Sequence, residues 1–338
     1  MILRKMFFVF SLCLLYLTGT TQKVTVVTNE FITENPPFAS CHASTIVSLP
    51  GNRMAAAWFA GPYESNPEVN IWMSFGEGGK WQAPYVIADG IVNDTLRYAL
   101  WNPVLFRNRQ GRLVLFYKMG PSPREWWGMM KTSADEGKTW TSAERLPGEM
   151  LGPIKNKPVQ LRDGSLLYPT SSESVVGNKW HIHMEKSDKD GRNWRKIAVN
   201  NDSFGAIQPS ILLHPRGRMQ LLCRSRQGYI VQSWSTDNGE TWSTVTRTNL
   251  PNPNSGTDAV TLKNGKHLLV YNPLQRGRNK LHVAISQDGI NWKDIHVLEN
   301  ETQGEFSYPA VIQSPDGIIH ITYTHQRKKI KHVALKLN

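Results

Sequence analysis

At 338 residues the chain is long for one domain by the usual prior, although all-β folds reach this size as single units. A composition of 40% hydrophobic and 20% charged residues is ordinary for a globular protein, with ample material for a core. The formal charge of +12 suits acidic partners, and because no zinc-finger spacing, RNA-binding signature or dense basic helix is present, anionic glycans are preferred to nucleic acid.

Residues 1–22, "MILRKMFFVFSLCLLYLTGTTQ", carry a basic start at Arg4 and Lys5, an apolar run from Met6 to Leu17, and small residues after it. This is the pattern of a signal peptide, and the run is short for a bilayer span. The residues before Cys13 do not make the small pair that lipoprotein processing needs. The expected mature protein is therefore exported, periplasmic or secreted, without stable membrane insertion and monomeric. Removing Arg4 and Lys5 lowers the charge from +12 to +10.

The next segment, "KVTVVTNEFI" (23–32), alternates as a strand. Six hairpin units follow: "STIVSLPGNRMAAAWF" (44–59), "PVLFRNRQGRLVLFYK" (103–118), "PVQLRDGSLLYP" (158–169), "PSILLHPRGRMQLLCR" (209–224), "DAVTLKNGKHLLVYN" (258–272) and "PAVIQSPDGIIHITYT" (309–324). Each has two period-2 apolar strands around a glycine-containing turn. In phase with them runs a second motif, a polar turn closed by tryptophan: "SFGEGGKW" (74–81), "SADEGKTW" (133–140), "SDKDGRNW" (187–194), "STDNGETW" (235–242) and "SQDGINW" (286–292). In these turns Ser and Asp bond the backbone, Gly supplies positive φ, and Trp plugs the hairpin onto the sheet, so they hold the fold and carry no catalytic role.

A strand-only repeat of about 50 residues marks a β-propeller. The expectation is an all-β, six-bladed propeller with four-stranded blades over residues 23–338, in which the 23–32 strand completes the last blade and closes the ring. Side chains just before or after each hairpin then converge on the axis at one end. Blade 1 offers His42, Glu64 and Glu68. Blade 2 offers Trp101 and Asn102, and blade 3 Lys155, Asn156, Lys157 and Glu173. Blade 4 offers Gln208 and Arg224, blade 5 Asn252, Asn254, Asp258, Arg276 and Arg278, and blade 6 Glu305 and Tyr308. Together they make a polar funnel containing several cations.

The S-x-D-x-G-x-T-W turns are Asp boxes, and six blades bearing them resemble the sialidase (neuraminidase) superfamily. The stretches "CHASTIV", "GPYESNPEVNIW", "NPNSGTDAV" and "YPAVIQSPDGIIHITYT" are similar to its bacterial BNR-repeat, sialidase-like subgroup. The resemblance implies a glycoside hydrolase acting on a terminal acidic sugar without cofactor or metal. A sugar with a carboxylate on its anomeric carbon repels a carboxylate nucleophile, and the family answers with a tyrosine activated by a glutamate, an aspartate acid/base and three arginines on the substrate carboxylate. Carried over, Tyr308 is the nucleophile and Arg224 a clamp. Arg278 is the second clamp, with Arg276 as its competitor, and Glu68 or Glu64 takes the acid/base place. The remaining polar residues of the funnel, Gln208, Asn102, Lys155, Lys157, Asn254 and Asp258, are expected to bind substrate.

Two positions depart from the family. His42 stands where an arginine opens blade 1, and Gln208 stands where a glutamate would activate the tyrosine. Glu305 or Glu173 could supply the missing base. His42 with Tyr308 also suits a uronate-directed lyase, in which His or Tyr removes an acidified C5 proton and a 4-linked substituent is expelled. A propeller that binds glycans without cutting them is the third expectation, ranked after hydrolase and lyase.

Other constellations are read as structural. "HIHME" puts His181, His183 and Glu185 on one strand face, but strand decoration is preferred to a metal set. Trp126 and Trp127 could form a sugar platform or pack between blades. Cys41 and Cys223 belong to opposite blades and are expected to be free thiols. Sequons at Asn93, Asn201 and Asn300 matter only in a eukaryotic host.

Overall fold

The computed structural model describes residues 22–338, so the signal-peptide reading lies, apart from Gln22, outside the described residues. Six antiparallel sheets form a ring, and apart from three short 3-10 turns there is no helix among the described residues. Each blade runs outward from an inner strand beside the axis. These inner strands are Ser40–Leu49, Leu100–Arg107, Val159–Gln160, Ala206–Leu213, Asp258–Thr261 and Phe306–Gln313. The strand Val24–Phe31 pairs antiparallel with Lys329–Leu337 and becomes the outermost strand of blade 6, so the first strand among the described residues closes the ring. Closure ties the first described strand to the last one within a single blade.

Neighbouring blades are stitched near the axis by side chains that bond the next blade's backbone. Thr45 accepts from the amide of Leu105, Ser171 from that of Gln208, Ser210 from that of Ala259 and Asp258 from that of Val311. Apolar contacts between the sheets do the rest, with fully buried Trp58, Tyr117, Tyr168 and Tyr323 on the second strands of blades 1, 2, 3 and 6.

Three of the tryptophan turns have the expected wiring. In blade 2, Ser133 donates to Asp135 at 2.7 Å, the amide of Gly137 donates to Ser133 at 2.8 Å, and Trp140 Nε1 donates to the Gly137 carbonyl at 3.0 Å. Bonds from the hydroxyl and amide of Thr139 hold the Asp135 carboxyl down at about 2. Blades 4 and 5 repeat the pattern at Asp237 and Asp288.

The other two copies are not Asp boxes. At "SFGEGGKW", which has Gly76 where the three true boxes carry Asp, Trp81 pairs in a two-residue strand and its Nε1 donates to Glu30 of the closing strand at 3.0 Å. In "SDKDGRNW" Lys189 stands at the place of the box aspartate, the turn is wired from Asp188, which accepts from the amides of Asp190 and Arg192, and Asp190 stays exposed.

Candidate functional site

A shared backbone device builds the site. In four inner strands two consecutive residues oppose one on the second strand: Ala43 and Ser44, Asn102 and Pro103, Gln208 and Pro209, and Tyr308 and Pro309. The first residue of each pair has positive φ, at 55°, 41°, 58° and 52° respectively. Such a bulge interrupts the ladder and re-aims one side chain, and proline fits the second place because it has no amide to leave unpaired. The left-handed conformation costs a non-glycine residue roughly 1–2 kcal/mol. Asn102, Gln208 and Tyr308 therefore occupy one equivalent position in three blades. His42 is offset by one, because the equivalent residue of blade 1 is Ala43.

At the centre stands Tyr308. Its oxygen lies 2.5 Å from Arg224 Nη1, a donor, and 3.4 Å from Gln208 Nε2. Arg224 also donates to Gln208 Oε1 at 3.2 Å and to Asn254 Oδ1 at 3.0 Å. Its guanidinium lies 5.4 Å from the ring of Trp180, on which Arg226 stacks at 3.9 Å. Arg278 lies 5.9 Å from the Tyr308 ring and donates to Glu305 at 3.0 Å and to the Asn254 carbonyl at 3.2 Å. Arg276 is exposed and does not join this cluster among the described residues, so Arg278 is the cation brought to the centre.

Sequence reasoning missed Arg327. It sits in the turn after the second strand of blade 6, its carbonyl accepts from the amide of Cys41 beside His42, and its guanidinium donates to Glu305 at 2.9 Å and to Glu64 at 2.6 Å. A cation thus reaches this side of the funnel from blade 6, next to the place where blade 1 carries His42. In sequence it looks like any polar turn residue, and only the neighbouring strand gives it away.

His42 is 1% exposed, with its ring centroid 4.0 Å from that of Tyr308 and Nδ1 2.9 Å from Thr324. Burial first, then Arg327, Arg278, Lys155 and Arg224, hold its imidazole well below the usual range and keep it neutral. Its Nε2 is buried without a partner. Lys155 lies under the other side of the tyrosine, 5.7 Å from the ring, and donates to the carbonyls of Pro309 at 2.6 Å and Thr257 at 3.1 Å and to Asn156 at 3.0 Å. Burial pulls its ammonium down to about 7, against the pull of Asp258. At Gly256 a Cβ would come within 2.8 Å of the Lys155 side chain, which would have to shift to admit it.

Several expected residues serve elsewhere. Lys157 and Asp258, read as substrate-binding, are turned to each other at 2.8–2.9 Å; Asp258 is 2% exposed and also accepts from Ser210 and from the amides of Ala259 and Val311. Glu305, read as a substitute base, accepts from Ser307, Arg278 and Arg327 and makes no hydrogen bond to Tyr308. Burial pushes its carboxyl up, but Arg327, Ser307 and Arg278 outweigh that and hold it below the ordinary range. Of the two blade 1 carboxylates, Glu64 reaches the cluster through Arg327. Glu68 lines a separate hollow beside Trp72 and Arg97.

Asn102 is buried at its bulge, and Trp101 beneath it donates to the Gly120 carbonyl. Asn156 and Asn252 bond backbone carbonyls, and Glu173 pairs in the strand with Trp180. An aromatic wall runs from Tyr308 through His42, Phe59 and Trp101 to Trp126, with centroids 4.0–6.1 Å apart.

Glu185 of the "HIHME" strand is committed to the amides of Leu151 and Gly152, and no metal-binding group of three is present among the described residues. Cys41 and Cys223 are buried and not bonded to each other.

The BNR repeat-like domain family matches residues 52–321, well over half of the chain. No curated protein matches it. Among solved structures, a protein of unknown function from Dyadobacter fermentans DSM 18053 is similar at TM-score 0.77 and 16% identity, over 93% of this chain and 99% of that one. The NanB sialidase of Streptococcus pneumoniae is similar at TM-score 0.72 and 13% identity, over 91% and 70%. The intramolecular trans-sialidase of Ruminococcus gnavus is similar at TM-score 0.71 and 15% identity, over 90% and 96%. At such identities the likeness establishes a common fold, the six-bladed propeller of the sialidases. The chain belongs to the BNR repeat-like domain family and has the sialidase-type fold.

Proposed function

We propose that this propeller binds a terminal acidic sugar in the funnel and hydrolyses its glycosidic bond. The observation that carries this reading is the Tyr308 oxygen, 2.5 Å from Arg224, in a cluster that also holds Arg278 and Arg327. Guanidinium groups fork onto carboxylates, so the cluster suits a sugar acid bound by its charge beside the tyrosine. Both neighbours of the Tyr308 oxygen are donors, the arrangement that stabilises negative charge on an attacking atom. Tyr308, its proton lost to solvent, attacks the anomeric carbon as the glycosidic bond breaks. Exposed Glu64, at the rim beside Arg327, protonates the departing oxygen, and water then releases the sugar.

A second reading rests on Gln208. An amide takes no proton, and neutral His42 in contact with Tyr308 fits a site that removes a C5 proton from a bound uronate and expels the 4-linked substituent as the C4–C5 double bond forms. One experiment separates the two: incubation with sialylated and uronate-containing glycans, followed by mass spectrometry. Release of a hydrated acidic sugar, abolished by Tyr308→Phe, supports hydrolysis, whereas a uronate product lighter by one water that shows the ultraviolet absorbance of a C4–C5 double bond supports elimination. Retention of glycan without product overturns both in favour of binding alone.

A further inference from the structure

The shifted turn of blade 3 opens a second cavity at the end of the ring opposite Tyr308. In the three true boxes, the glycine is packed against the preceding blade. A Cβ on Gly137 would meet Phe75 at 2.9 Å, one on Gly239 would meet Leu167 at 2.7 Å, and one on Gly289 would meet Gln220 and His214 within 3.0 Å. A Cβ on Gly191 would meet nothing within 4 Å.

The cause is local. Ser187, which in a true box would bond the turn aspartate, bonds Tyr168 at 3.0 Å and the Asp188 carbonyl at 2.9 Å. The turn is held from Asp188 and stands away from blade 2, leaving a cleft of about 560 Å³ between blades 2 and 3. Its size lies within the range of small-ligand sites.

The lining has two parts. Trp194 lies parallel to Tyr168 with centroids 4.3 Å apart, and Phe116 meets Tyr168 edge-on at 5.4 Å. Around this aromatic floor stand Arg112, Lys189 and Arg192, with Asp190 the one carboxylate. Among the described residues none of the three cations forms a salt bridge. Phe116 and Tyr168 are buried, so the half-buried Trp194 is the ring on which the C–H face of a pyranose packs, and arginines at its edge pair with a carboxylate.

We infer that the cleft between blades 2 and 3 is a second binding site, for an acidic oligosaccharide. It is built from residues that have no part in the funnel and stands whether or not the funnel cuts. It gives the protein a hold on an anionic glycan about one strand length, ~20 Å, from Tyr308.

The probe is tetragalacturonate, with maltotetraose as the neutral control, titrated by calorimetry into the full chain carrying Arg224→Ala so that the funnel is disabled. One equivalent should still bind, with maltotetraose at least 10-fold weaker. Adding Thr132→Trp, which fills the cleft, should abolish it. Adding Arg112→Glu and Arg192→Glu, both at exposed positions, should weaken it at least 10-fold, with unfolding midpoints checked to show that every variant is folded. No binding to the Arg224→Ala protein, unchanged binding after Thr132→Trp in a folded protein, or equal affinity for maltotetraose would each overturn the inference.

Discussion

Substitution of Asp258 by Asn tests whether this residue holds the ring or the ligand. Asn keeps one oxygen for Ser210 and the Ala259 amide, but turns its NH2 toward the amide of Val311 and the ammonium of Lys157, both donors. Breaking a buried pair by neutralising one partner costs about 3–5 kcal/mol, and because the Lys157 side chain is 25% exposed the lower end applies, about 3. Leaving the Val311 amide unpaired adds about 1–2 kcal/mol. With an unfolding entropy of about 0.7 kcal/mol per kelvin for a chain of this length, the loss corresponds to a midpoint lowered by ~6–7 °C. The assay is thermal unfolding followed by circular dichroism, run with Lys157→Met and the double variant to obtain the coupling. A coupling above about 1.5 kcal/mol is expected. A midpoint that falls by less than 2 °C, together with lost binding of acidic sugar, would return Asp258 to the ligand and refute the structural reading.

Arg224→Met should weaken binding of a carboxylate ligand by about 30-fold or more, since a charge-assisted contact of at least 2 kcal/mol is lost, whereas Arg276→Met should change it less than two-fold; equal effects would show that the wrong arginine has been identified. Burial holds the ammonium groups of Lys118 and Lys155 at about 7, against an ordinary 10.5. Between these limits the unfolded chain binds more protons than the folded one, so stability should rise from pH 7 toward 10.5. Urea midpoints measure this, Lys118→Met should flatten the slope, and a wild-type stability flat across that window would contradict the burial argument. Cys41 and Cys223 have thiols pushed far up by burial and should be inert to Ellman's reagent until denaturant is added. Gly256→Ala should displace Lys155 from under Tyr308 and lower ligand affinity several-fold, read by the same titration; unchanged affinity would mean that Lys155 has room to spare.

The ring was legible in the sequence because its signals are local. Alternation, turn glycines and closing tryptophans each report on a handful of neighbouring residues, and six repetitions leave one architecture. Illegible were the contacts between residues distant along the chain. Nothing near Lys157 says that its partner is Asp258, and nothing in the turn around Arg327 says that it lies against Cys41 and Glu64. The two aspartates of "SDKDG" are two residues apart, and which one wires the turn depends on whether Ser187 is taken by Tyr168, a strand away. Glu64 and Glu68 share a loop, and only its conformation sends one toward the axis and the other out to Trp72.

The repeated bulges make the funnel something like a socket set. Asn102, Gln208 and Tyr308 are held at one height by the same break in the ladder, with proline behind each, so the backbone that presents them does not depend on which side chain is presented. Exchanging the tip of one socket alters what the funnel grips without rebuilding a blade, and the strain is paid whichever tip is fitted. A ring of this kind can change its chemistry one residue at a time while its outline stays the same. A sialidase-shaped backbone therefore constrains the substrate far less than the three or four tips it happens to carry.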